Sequence, residues 1–284
     1  MASNSAATGG GKLYRSITLV DETSLSVRVV DKLLESKMLG LDAEGLSPRS
    51  RGRVSMVTLA TLWRHAYIFD VKESEALFEE GNLKVLLESA KMLKVVHDFR
   101  NIAETLYNTF GVKVRKVFDT HSAYQTIAIQ RGVMESRVLG MDELFALYEK
   151  PPNPDSPYIK CWLNKDPTCL MIRPISTCVA CYTAFNVCCL LAVYEDQVRR
   201  IRAKYWPLLA ALSDDQLGNR TNSHQLVQQA LRQATRDRDQ ELKCRLDESF
   251  PHNTECDHGI ANNVPLMLRH SYYLFSSFSS TTPF

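Results

Sequence analysis

The stretch Leu39-Gly40-Leu41-Asp42-Ala43-Glu44-Gly45 decides how the rest of the chain is read. It begins apolar, places two carboxylates two residues apart, and stops at a glycine. If Met38 to Ala43 is a buried strand, period-two alternation turns Asp42 and the following Glu44 to one face. Two like charges held that close repel and raise one pKa unless a cation neutralises them. A hard divalent ion such as Mg²⁺ is the usual partner of such oxygens. The plainer reading is a strand edge running into a glycine turn, since an acid-x-acid string is common.

Outward from this stretch the chain alternates between strands and helices. Ser16 to Val20 reads as a short strand. Asp21 reads as the cap of a helix running to about Ser36, with Val30, Leu33 and Leu34 turned inward. Arg53 to Ala60 reads as a strand with Val54, Met56 and Thr58 alternating against Ser55, Val57 and Leu59, and Ala66 to Val71 as the next. Three strands in close succession predict an antiparallel portion. Asn82 to Ser89 then reads as helix and Leu93 to His97 as strand. Arg100 to Phe110 reads as a helix with Ile102, Leu106 and Phe110 on one side. Val117 and Phe118 form a short strand leading into a helix from Thr120 to Gln130. The economical solution is an α/β fold, a mixed sheet flanked by helices on both faces.

Further on, four prolines within Pro151 to Pro157 mark a surface loop, and Ser176 to Arg202 is a long helical stretch. Gln225 to Phe250 reads as a mixed-charge helix, with five basic and five acidic residues. Its Leu226, Val227, Leu231, Leu242 and Leu246 suit either covering the domain or dimerisation. The expected organisation is a flexible leader (1–12), a principal domain (13–210), a helical extension (211–250) and an irregular tail (251–284).

Of the 284 residues 45% are hydrophobic and 23% charged, which is ordinary for a folded chain. With 34 basic against 32 acidic side chains the net charge is only +2, so nucleic-acid binding must come from a local cluster. No secretory signal is legible in Met1 to Lys12, and no continuous apolar run of about 18 residues suggests a membrane span. Six of the eight cysteines fall between Cys161 and Cys189. That is not the spread of a secreted disulfide scaffold, and it points to a reducing intracellular compartment, cytoplasmic or nuclear.

Two more sets of residues bear on chemistry. Lys94-Val95-Val96-His97-Asp98 is a second strand with an acid at its carboxyl end, where ligands of open α/β sheets bind. Asp98 is thereby expected to approach Asp42 and Glu44, although capping the next helix explains it equally well. In the long helix Tyr182 and Asn186 lie four residues apart and share a face. Alone, that pair reads as a buried tyrosine with an incidental polar neighbour.

Taken in order, these features resemble the DEDD superfamily of 3′–5′ exonucleases, in its tyrosine-containing branch. The supporting strings are Gly40 to Gly45, Gly52 to Thr61, His97-Asp98-Phe99-Arg100 with Leu106, Val117-Phe118-Asp119-Thr120, and Arg173-Pro174-Ile175 ahead of Tyr182. The resemblance covers roughly residues 16 to 200 and is nearest to the Exd1-type and Egalitarian-type RNA-associated members. It implies a ribonuclease-H-like mixed sheet, here with a C-terminal helical extension, and a site for two Mg²⁺ or Mn²⁺ ions. By resemblance Asp42 bridges both ions, Glu44 holds the ion that activates water, Asp98 helps place the other through water, and Tyr182 orients the attacking water. Such a two-metal clamp stabilises both the attacking and the leaving oxygen.

The chain departs from the family at the last ligand, where Asn186 stands in place of an aspartate. An amide oxygen can coordinate Mg²⁺ but brings no negative charge. Cys178, Cys181, Cys188 and Cys189 crowd the same helix, where the family has small residues. They read as small buried hydrophobes rather than a zinc site, because Cys188 and Cys189 are adjacent. His97 reads as a strand-end hydrogen bonder. Arg49, Arg51, Arg53 and Arg64 follow the acid pair, and Arg199, Arg200, Arg202 and Lys204 end the long helix. Both groups are expected at the site rim, and Arg49, Arg51, Arg53, Arg100, Arg199 and Arg200 are the candidate nucleic-acid contacts. Tyr205 and Trp206 suit base stacking or core packing equally.

The function this predicts is nucleic-acid binding, to single-stranded RNA before DNA, by an exonuclease-like domain with impaired or absent catalysis acting as an adaptor. The alternative is an active two-metal 3′–5′ exonuclease, which Asp42, Glu44, Asp98 and Tyr182 favour. A protein-binding scaffold is a third reading, with residues 213–284 offering a partner or dimer surface. No membrane partner is expected.

Overall fold

The computed structural model describes residues 13–45, 53–135, 137–219 and 221–249. The leader, the tail, Arg49 and Arg51 lie outside the described residues. The chain divides into two units, Met1–Arg238 and Asp239–Phe284. The described part of the second is helical.

In the first unit β1 (Ser16–Val20) leads through α1 (Thr23–Leu34) to β2 (Met38–Glu44), β3 (Met56–Thr61) and β4 (His65–Phe69). Two short helices follow, α2 (Ala76–Glu79) and α3 (Leu83–Glu88), then β5 (Leu93–Val96), α4 (Arg100–Phe110), β6 (Val117–Asp119) and α5 (Thr120–Ile129). The rest is helical: α6 (Met141–Leu147), α7 (Ser156–Lys165), α8 (Thr177–Arg200), α9 (Trp206–Gln216) and α10 (Ser223–Ser249), of which the residues from Asp239 on belong to the second unit. The six strands form one sheet in the order β1-β4-β3-β2-β5-β6. Its middle, β4-β3-β2, is antiparallel, while β1 joins β4 and β5 joins both β2 and β6 in parallel. The sheet is therefore mixed, with the antiparallel portion where three close strands predict it.

Period two sorts the strands between two cores. Leu39, Leu41 and Ala43 of β2, with Val57, Leu59, Tyr67 and Phe69, pack against Val29, Val30 and Leu33 of α1, Leu83 and Leu86 of α3, and Ile102 and Leu106 of α4. Ala60, Val95 and Phe118 point the other way, onto a core holding Phe185, Val187 and Leu190 of α8. Met56 and Ile68 meet Val179 of α8 in a third cluster. Both faces being covered, β3 is buried along its whole length, so its alternation separates two cores rather than core from water.

Local readings change in several places. Glu22, not Asp21, occupies the N-cap of α1, and no side chain caps the helix. Leu34 is 37% exposed, because it falls just outside the stripe of Val30 and Leu33. The helices α2, α6 and α7 were not legible, being short or shadowed by prolines. Pro157 sits in the first turn of α7, where a missing N–H costs nothing. Thr177–Arg200 is long and apolar enough to cross a membrane by length and composition alone, which no unbroken apolar run had signalled. Here α8 is the central helix, packed on β2, β3, β4, β5 and α5.

Candidate functional site

Gly40, Asp42 and Glu44 share the face of β2 that looks at α8. Gly40 is what lets the helix approach: a Cβ there would stand 2.4 Å from the carbonyl oxygen of Val187. The next positions along the face, Asp42 and Glu44, are held beneath the helix's first half. Val187 and Leu191 of α8 stand over Gly40, and the charges of Glu44 and Asp42 both act on the Tyr182 phenol nearer the helix start. Gly45 ends the strand at φ +100°, and a Cβ there would lie 2.6 Å from that of Ser55. An L side chain is strained in that conformation.

The loop ahead of α8 is anchored to the same strand end. Arg173 reaches Asp70 at 2.5 Å and the backbone oxygen and hydroxyl of Ser55 at 2.9 Å each. Ser55 in turn donates its hydroxyl to Leu170 O at 2.5 Å.

Asp42 is 8% exposed, and its carboxylate accepts a hydrogen bond from the neighbouring Ala43 N–H, at 2.9 Å. Burial pushes its carboxyl up to about 7, opposed only by that bond. Burial also raises Glu44 well above the usual range, and the charge of Asp42 adds to the effect. Thr58, the cross-strand partner of Asp42, has a buried hydroxyl with no partner among the described residues. The Tyr182 phenol is raised by burial, then by Glu44, while a side-chain hydrogen bond with Asn186 opposes the shift.

Asn186 is 1% exposed. Its Oδ1 accepts from Asn153 Nδ2 at 2.7 Å, while the same nitrogen donates to Tyr182 O at 3.0 Å. Asn153 Oδ1 accepts from the N–H of Asp155 at 3.1 Å. Asn153 is 2% exposed, which corrects the picture of Pro151 to Pro157 as surface throughout. Its proline-rich setting gave no sign of this role, although an asparagine between prolines with Asp155 two residues on carries a turn signal.

Asp98 follows β5 with φ 46°, a left-handed conformation uncommon outside glycine. Its charge acts on His97, Asp119 and His121. Asp119 is fully buried, accepts from Phe99 N at 3.1 Å and Ser122 N at 2.8 Å, and is raised to about 6 by burial. His97 does bond at the strand end, with Thr120 Oγ1 at 2.9 Å and Leu139 O at 2.8 Å. The structure thus brings Asp42, Glu44, Tyr182 and Asn186 together and sets Asp98 among a different group of side chains.

Among the described residues no three His, Cys, Asp or Glu side chains gather closely enough to hold a metal ion. The Asp42–Glu44 pair attracts a cation, and the Asn186 oxygen beside it, which accepts one hydrogen bond from Asn153, adds no negative charge. Cys188 and Cys189 are buried among Val187, Leu190 and Leu191, and all seven described cysteines are free.

The basic residues divide. Arg53 is exposed and leads into Ser55, whose N–H bonds Glu44 O at 2.7 Å, so it lies at the acid end of β2. Arg64 sits in the β3–β4 turn at the opposite end. Arg199 and Arg200 lie about 25 Å along the helix axis from Tyr182, at about 1.5 Å per residue. They do not form the rim, because the unbroken α8 carries them away. There Arg199 pairs with Asp196, and Arg200 lies 4.7 Å from the Tyr148 ring centre. Arg100 opens α4, on the other side of the sheet. Tyr205 is 2% exposed and packs the core, and Trp206 is 38% exposed. Val227, with Leu226 and Leu231, covers the domain beside Tyr205 and Leu208.

A family model described as 3′-5′ exonuclease matches residues 17–217. Among curated proteins, the chain is 32% identical over 120 residues to an Egalitarian protein homolog of Caenorhabditis elegans, covering 40% of this chain and 21% of that protein. It is 29% identical over 109 residues to the piRNA biogenesis protein EXD1 of Bombyx mori, covering 38% and 34%. The chain therefore spans about a fifth to a third of these relatives' lengths. The crystal structure of Trypanosoma brucei RNase D in complex with RNA U12 aligns with a TM-score of 0.61 at 19% identity, covering 77% of this chain and 80% of that one. At that identity the likeness is one of fold, the ribonuclease-H-like sheet flanked by helices.

Proposed function

The chain belongs to the 3′–5′ exonuclease family, and on that premise we propose that it binds nucleic acid, single-stranded RNA before DNA, as an adaptor whose catalysis is impaired or absent. One observation carries the reading: at the site's last ligand position stands a buried amide, its Oδ1 accepting from Asn153, and among the described residues no third acidic side chain gathers with Asp42 and Glu44 closely enough to hold a metal ion. Members of the family generally use divalent ions. A two-ion site needs anionic oxygens to hold both ions, which in turn lower the pKa of bound water, and the neutral Asn186 weakens this chain's hold on one of them. The RNA in the RNase D complex and the piRNA role in the name of EXD1 support RNA as the ligand. The free cysteines suit a reducing compartment, cytoplasmic or nuclear.

A working exonuclease is the second reading, favoured by the desolvated Asp42–Glu44 pair beneath the Tyr182 hydroxyl. Such a pair holding one Mn²⁺ would give slow turnover. The test is degradation of 5′-labelled single-stranded RNA and DNA, in Mg²⁺ and separately in Mn²⁺, with binding measured in parallel. The natural chain is expected to bind and not to cut. A ladder from the natural chain that Asp42→Ala abolishes overturns the adaptor reading. Cutting only by Asn186→Asp supports it and puts the loss of catalysis at that position.

A further inference from the structure

The molecule carries a second polar feature, on the face of the sheet opposite Asp42 and Glu44. The helix α4 buries Ile102, Ala103 and Leu106 against Leu39, Leu41 and Ala43, the side of β2 away from α8. Its outward face, with Arg100, Glu104 and Tyr107 at helical spacing, forms one wall of a groove of about 700 Å³. The other walls are residues 112–116 and the end of α9. Alternation shapes the 112–116 wall: Val112 and Val114 are buried in the core, while Lys113 and Arg115, each following one of them, stand exposed.

The charges in this groove are unbalanced. Arg100, Lys113, Arg115 and Lys116 line it, against Glu104 and Asp214. None of the four cations has an ion-pair partner among the described residues. The Lys116 ammonium donates only to a backbone carbonyl, that of Lys91 at 3.0 Å. Beneath the wall the fully buried Lys94 donates to the carbonyls of Ser89 and Arg115, which fixes the backbone that presents the exposed cations. Burial, with the charge of Lys116 adding to it, lowers Lys94 to about 8. Tyr107, 51% exposed, adds a flat aromatic surface with the Lys113 ammonium 5.2 Å from its ring centre.

We propose that this groove is a second contact surface for single-stranded nucleic acid, with phosphates on Arg100, Lys113, Arg115 and Lys116 and a base stacked on Tyr107. A cationic track with an exposed aromatic is how sequence-tolerant single-strand binders work. A groove of this volume admits a short stretch of strand rather than a duplex, and it leaves the Asp42–Glu44 face free. The inference rests on the nucleic-acid reading above and deepens it: an adaptor holds RNA on a surface that never approaches the carboxylates.

The test uses the full chain and a fluorescein-labelled single-stranded RNA of about 16 nucleotides, with anisotropy followed across a salt series. Each phosphate contact on a single strand contributes about 0.7 to the slope of log affinity against log salt. The double variant Arg100→Ala/Arg115→Ala is therefore expected to lower that slope by about 1.4, and to weaken binding about tenfold, as roughly one decade for two lost contacts. Tyr107→Ala should weaken binding with the slope unchanged. Glu104→Lys should tighten binding and steepen the slope, a gain that misfolding cannot mimic. If groove variants bind as the natural chain does while Arg53→Ala or Asp42→Ala binds less, the groove inference falls and the nucleic-acid reading stands. If groove variants alone lose binding, the carboxylate face is not a contact surface. A natural chain that binds no strand, or polyglutamate competing as well as RNA, overturns the groove inference, and the first of these overturns nucleic-acid binding as well.

Discussion

The strands β2 and β5 are parallel neighbours, and each runs into acid at its carboxyl end, yet the two ends share little chemistry. On β2 the backbone stays extended through Glu44, α8 closes over Asp42 and Glu44, and burial raises both carboxyls. On β5 the strand stops at Val96, the backbone turns left-handed at Asp98, and that charge acts on His97, His121 and Asp119. An acid at a strand's end thus becomes a ligand candidate only when the extended backbone holds its direction and something closes above it. The closure over β2 depends on Gly40 below α8 and on Arg173 in the loop before it.

The comparison can be broken by removing what makes the β2 end special. The largest effect is expected from Arg173→Ala, which leaves Asp70 buried without its cation. Breaking a buried pair from one side costs about 3–5 kcal/mol, read as a lower denaturant midpoint, and a loss below about 1 kcal/mol means the loop is held by other contacts.

Next comes Asp42→Asn, compared with the natural chain in chelator. Burial raises the Asp42 pKa from 3.8 to about 7, so its ionised form is disfavoured by folding. Stability is full below the unfolded value and is lost as pH rises through about 7. The variant is therefore expected to be the more stable at pH 8, by roughly 4 kcal/mol as an upper bound at about 1.4 kcal/mol per unit. The gain should shrink steadily as pH falls toward 4. A gain independent of pH means that desolvation of the charge is not its cause.

Gly40→Ala should cost about 1–3 kcal/mol, since the added Cβ pushes on the Val187 carbonyl, and a neutral melting temperature would show that α8 lies farther from β2. The smallest effect is expected at Asp98→Asn, within about 0.5 kcal/mol, because asparagine tolerates the left-handed conformation. A pH-dependent gain there like that of Asp42→Asn would erase the contrast between the two strand ends.

Much of this was legible in the sequence. Alternation in Leu39 to Glu44 is enough to put both acids on one face, and Arg100 to Phe110 is helical over just those residues. The direction of Asp98 was not legible, because strand-end spacing carries no information about the φ of the residue beyond. Nor was the engagement of Asn186, since its partner Asn153 lies 33 residues away in a proline-rich segment. The reading of Arg199 and Arg200 as rim residues failed for want of one length: where α8 crosses the sheet was unknown, and an unbroken helix carries its two ends to opposite edges.

The central claim is that the chain lacks the ligands for two ions, and calorimetric titration with Mn²⁺ tests it most directly. The natural chain is expected to bind fewer than two ions, and Asn186→Asp to bind more tightly, because its carboxylate can keep the hydrogen bond from Asn153 while adding a charge. Two Mn²⁺ per natural chain, bound as tightly as by Asn186→Asp, would contradict the account.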